Sequence, residues 1–86
     1  MSDDKAEVLQ GFTSQFIELA NSMQNNGESG EVVSAALMSA SAFFATYVAA
    51  GNAGGLNPSG VEKVTEAYKD TLERVQSYKR EQADPG

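Results

Sequence analysis

From Val32 to Ala50 the chain runs nineteen residues, VVSAALMSASAFFATYVAA, without a charged side chain. A segment of that length and composition has two physical homes. It can be a helix buried inside a small helical domain, or it can enter a membrane, since about twenty apolar residues span the hydrocarbon core. Three serines, a threonine and seven alanines dilute the run, and Glu28 and Glu31 stand at its entry where a span would carry Lys or Arg anchors. Amphipathic stretches lie on both sides of it. A soluble core helix is the expectation, with a single membrane span as the lesser alternative.

The flanking stretches read as helices. Val8, Leu9, Phe12, Phe16, Leu19, Ala20 and Met23 recur at three- and four-residue steps, which places them on one stripe of a helix over about 5–24. Asn25-Asn26-Gly27 ends that helix. The uncharged run makes a second helix over 30–50, closed by Gly51. After the glycine-rich connection Gly51 to Asn57, Pro58 supports a new start, and Ser59 with Glu62 has the spacing of a capping box. Val61, Val64, Tyr68, Thr71, Val75 and Tyr78 then alternate in three–four steps through a third helix over 59–82. No stretch alternates with the period of a strand. The expected fold is an all-α three-helix bundle forming one domain over 1–86, with frayed tails at 1–4 and 83–86.

The central helix is apolar on both faces, and the faces differ in size. Val32, Val33, Leu37, Phe43, Phe44, Tyr47 and Val48 fall on one broad side. That bulky side is expected to cover the stripes of the first and third helices. The opposite side carries Ala35, Met38, Ala42, Ala45 and Ala49 at steps of three, four, three and four, among Ser34, Ser39, Ser41 and Thr46. Small side chains let two helix backbones approach closely. These five residues are therefore the expected seam of self-association, one second helix against that of another copy.

Composition narrows the chemistry. There is neither cysteine nor histidine, so disulfides, Cys/His metal sites and Ser–His or Cys–His nucleophiles are excluded. Glu62, Glu66 and Asp70 stand at four-residue steps, but Lys63, Lys69 and Arg74 interleave with them, as on a solvated face. No metal and no cofactor is expected. The glycine-rich connection lacks the lysine and following Ser/Thr of a phosphate-binding loop. No acid–base pair can be assembled from the remaining carboxylates, lysines and tyrosines, and a non-enzymatic role is expected.

Charge bears on partners. The net charge is −6: through Gly60, six acids and one base give −5, and from Val61 onward six acids and five bases give −1. An acidic chain with no basic patch repels phosphate backbones, so no nucleic acid is expected, and the surface would suit a basic protein partner. A domain of this length is marginally stable alone, and with disulfides and metals excluded, association is the reinforcement left to it. The start, Met-Ser-Asp-Asp-Lys, has neither the basic nor the apolar region of a secretory signal, so a cytoplasmic location is expected.

The segment Val33-Ser34-Ala35-Ala36-Leu37-Met38-Ser39-Ala40-Ser41-Ala42-Phe43-Phe44 resembles the central helix of a bacterial family of short proteins, domain of unknown function 3144. Weaker matches flank it at Phe16 to Asn21 and from Tyr68-Lys69 to Leu72-Glu73. Ser39 stands where the family pattern has tyrosine, and Phe43 where it has arginine. The resemblance implies a small helical fold and a bacterial origin, and it supplies no activity because the family has none assigned. The function expected from all of this is a small acidic interaction or regulatory protein, a homodimer through its second helix. The alternative is a binder of small apolar ligands, with Phe43, Phe44, Tyr47 and Tyr68 lining a pocket between helices.

Overall fold

A computed structural model of the chain describes residues 2–51 and 54–83. It is all-α, with three helices in order: α1 (Ser2–Asn25), α2 (Gly30–Ala50) and α3 (Pro58–Ala83). The bounds of α2 coincide with those read from the sequence. α1 begins three residues earlier than expected, at Ser2. Asp4 in the first turn suits the positive end of the helix macrodipole. At the other end, residues 84–86 of the expected tail lie outside the described residues, as does Met1.

Each helix end has a local cause. At the end of α1, Gly27 adopts φ 109°. Its N–H donates to the Gln24 carbonyl at 2.9 Å, while the Glu28 N–H reaches the Met23 carbonyl at 3.3 Å. These are the two crossed bonds of a Schellman motif, and they satisfy carbonyls the helix leaves open. α2 starts one residue after Ser29, whose Oγ accepts from the Val32 N–H at 3.2 Å, and Glu31 in the first turn adds a favourable charge. It stops at Gly51, with φ 82° and its N–H on the Tyr47 carbonyl at 2.8 Å, the simpler left-handed cap.

The cap of α3 differs from the sequence expectation. Asn57, not Ser59, is the N-cap: its Oδ1 accepts from the Gly60 N–H at 2.8 Å. Pro58 then occupies the first helical position, where a missing N–H costs nothing. Proline also disfavours helical torsions in the residue before it, which keeps Asn57 in the extended conformation a cap requires.

The described chain divides into two compact units, residues 1–43 and 44–86, with the division inside α2. In the first unit, α1 and the start of α2 are joined by the four-residue turn 26–29. Burial there is confined to two side chains near the turn, Ala20 and Val33. Val33 belongs to the bulky side of α2, so it is this side that turns toward α1. The rest of the α1 stripe, Phe12 and Phe16 included, stays exposed. The expectation that the bulky side would cover this stripe is thus met only near the turn, where the small Ala20 permits close approach.

In the second unit the end of α2 leads through a short connection into α3. Ala45, Thr46, Leu56, Gly60 and Val64 are half-buried, and no residue described is fully enclosed. A β-carbon at Gly60 would lie 3.3 Å from Leu56 Cβ and Cδ2, so the leucine folds back over the first turn of α3. The apolar stripe of α3, from Val61 through Tyr68, Leu72 and Val75 to Tyr78, remains exposed.

Candidate association surface

Helical spacing alone puts the five residues of the expected seam on one side of a helix. Ala35, Met38, Ala42, Ala45 and Ala49 all lie on α2, which the Ser29 and Gly51 caps define. Ala35, Met38, Ala42 and Ala49 are exposed, and Ala45 is half-buried, as is its neighbour Thr46. Val33, the single buried residue of α2, projects to the other side of the helix. This side of α2 is therefore open over its first half and partly covered, within the second unit, around Ala45.

The bulky side is also unusually open. Phe43 is 81% exposed and Phe44 66%. An exposed phenylalanine forgoes most of the roughly 1.5–3 kcal/mol that burial of a large apolar side chain provides. Two adjacent ones on a helix with no charged neighbours form a patch of the kind that marks interaction sites.

Of the four rings expected to line an apolar pocket, three fall in the second unit. Phe43 belongs to the first unit, and Phe44, Tyr47 and Tyr68 to the second. Phe44 and Tyr47 pair with centroids 5.9 Å apart and planes tilted by 44°, a favourable aromatic geometry. Tyr47 and Tyr68 are about half exposed.

Four other polar side chains are occupied locally. Thr13, Thr65 and Thr71 donate to the carbonyls of Leu9, Val61 and Ala67, each one turn back. Gln82 donates to the Tyr78 hydroxyl at 3.1 Å. Among the described residues, no three carboxylates converge closely enough to hold a metal ion, so Glu62, Glu66 and Asp70 remain a row along α3. α2, at 21 residues, is long and apolar enough to cross a membrane by length and composition, and very little of it is buried.

These features define a class, an all-α chain whose central helix carries no charge after Glu31 and is largely uncovered. The matching family model extends from residue 9 in α1 to residue 78 in α3 and carries the description protein of unknown function, DUF3144. The chain belongs to that family. Among curated proteins and among solved structures, none matches it.

Proposed function

We propose that the protein is a small, non-catalytic interaction or regulatory protein of the cytoplasm that associates with itself through α2. The observation that carries this reading is the exposure of α2: nineteen consecutive uncharged residues, of which Val33 alone is buried. Water does not tolerate such a helix uncovered, and a second protein surface is the means of covering it. The Ala/Met seam supplies the close approach, and the absence of charge on it removes any desolvation cost of an ion. The absence of histidine and cysteine supports a role without nucleophilic chemistry. The acidic surface suits a basic protein as a further partner.

Light scattering behind a sizing column, in detergent-free buffer and at several concentrations, tests the proposal. A dimer that persists on dilution to the low micromolar range supports it. A monomer at hundreds of micromolar refutes it.

A second reading draws on the length and apolarity of α2, which would let it sit across a membrane. Its test is fractionation: recovery in the membrane pellet, with release by detergent and not by high salt, would replace the first reading with this one.

A further inference from the structure

Beyond the contact through α2, we propose that the apolar stripe of α1 is a second surface of self-association. On it the α1 helices of two copies lie antiparallel, with the two-fold axis at the level of Ser14. The chain itself leaves the stripe uncovered: Val8, Leu9, Phe12, Phe16, Leu19 and Met23 are between 41% and 68% exposed. At roughly 150–200 Å² for a large apolar side chain, these six hold about 600 Å² of apolar surface in water, all on one side of one helix. A standard interface takes about 800 Å² from each partner, and between identical copies about 65% of it is apolar, or roughly 520 Å². The stripe matches that requirement in size with no contribution from α2.

The order of residues along the stripe points to a second copy as its occupant. A contact across a two-fold axis is self-complementary: where one residue meets another, the second also meets the first. From Val8 through Leu9, Phe12, Phe16 and Leu19 to Ala20 the steps are one, three, four, three and one, the same in both directions about Ser14. Antiparallel pairing at that level sets Phe12 of one copy against Phe16 of the other, and Leu9 against Leu19. Val8 then falls opposite Ala20, whose own side is taken up by the approach to α2. The largest side chains meet at the axis and smaller ones toward both ends, so the pair closes evenly.

Charge sets the direction. Glu7 and Glu18 fall on the side of α1 opposite the stripe, so they stay in water in either arrangement. Lys5, the only base before Lys63, is exposed and falls in line with the stripe, three residues before Val8. It stands at the start of the helix, where the positive end of the macrodipole disfavours a cation. Parallel pairing sets the two Lys5 side chains together at two positive helix ends. Antiparallel pairing brings each Lys5 level with Met23 of the other copy, at the negative end of that helix and beside the turn that carries the exposed Glu28. The two-fold axis repeats this complementarity at both ends of the pair, and salt weakens it.

Two measurements on the full chain test the proposal. Phe12→Glu puts a carboxylate at the centre of the pair, on a residue already 56% exposed in the single chain, and circular dichroism checks that its helices persist. Light scattering at matched concentrations is expected to show half the mass of the original protein, a tetramer becoming a dimer where the α2 contact also holds. A fall from dimer to monomer would keep the α1 pair and remove the α2 contact. An unchanged mass would overturn the α1 pair and leave the α2 contact standing, and an original protein that is monomeric would overturn both. The direction is read with introduced thiols that leave the stripe intact, since the chain has no cysteine. Asp4 and Ser22 are exposed on the same flank of the stripe. In the antiparallel pair, Asp4→Cys of one copy comes within about 3 Å of Ser22→Cys of the other along the helix axis, whereas two Ser22→Cys stand about 24 Å apart. Treated with a short bis-maleimide, the two variants co-expressed are expected to give a cross-linked dimer, and Ser22→Cys alone is not. Efficient cross-linking of Ser22→Cys alone, or none from the co-expressed variants, would overturn the antiparallel arrangement.

Discussion

Met38→Ala separates a residue that holds the fold from one that holds the assembly. Met38 is 58% exposed on α2, so its own chain uses less than half of it. Complete burial of a methionine side chain is worth about 1.5–3 kcal/mol, so the exposed part leaves roughly 1–1.5 kcal/mol per copy to be gained by covering it. A two-fold dimer loses the contribution twice, about 2–3 kcal/mol in all, which weakens the dissociation constant roughly 30- to 150-fold. Helix formation does not suffer, because alanine has the higher intrinsic propensity. The folding cost is therefore small, about 1 kcal/mol or less by the same area argument. Sedimentation equilibrium gives the dissociation constant, and far-ultraviolet circular dichroism at high dilution gives the stability of the separated chain. If Met38→Ala leaves the dissociation constant within threefold of its original value, the seam is not where copies meet. If the whole effect appears instead as lost stability of the dilute chain, Met38 belongs to an internal core and the burial argument fails.

Asn57→Ala removes the bond to the Gly60 N–H and should cost about 1 kcal/mol, a fall of roughly 4–8 °C in the thermal midpoint at fixed protein concentration. Ser59→Ala should change it by less than half as much, and the reverse order would show that Ser59 is the cap. Gly51→Ala forces a side chain onto φ 82° and should destabilise by about 1–2 kcal/mol in urea unfolding, with the slope unchanged; no loss would mean the end of α2 adopts another conformation. A β-carbon at Gly54 would lie 2.7 Å from the Ala50 carbonyl oxygen, so Gly54→Ala should lower the melting midpoint whereas Gly55→Ala, with open space around it, should not lower it by that route.

The three helices were legible in the sequence because their causes are local. The stripes of α1 and α3 follow from three- and four-residue recurrence, and the ends of α1 and α2 from Gly27 and Gly51, which take the left-handed torsions a cap needs. The cap of α3 was misplaced by one motif: the Ser59–Glu62 spacing fits a capping box, but Pro58 fixes the first helical position and hands the cap to Asn57. That Ala35, Met38, Ala42, Ala45 and Ala49 share one side of α2 was equally legible, since helical spacing alone puts them there. Which apolar side chains are covered was not. The sequence puts Phe12 and Phe16 on one stripe with Ala20, and Phe43 and Phe44 on one side with Val33, yet of these six the structure buries only Ala20 and Val33. Periodicity records that a face is apolar; the partner that covers it is set by where the tight turn at 26–29 lets two helices approach, and that is a property of the tertiary structure.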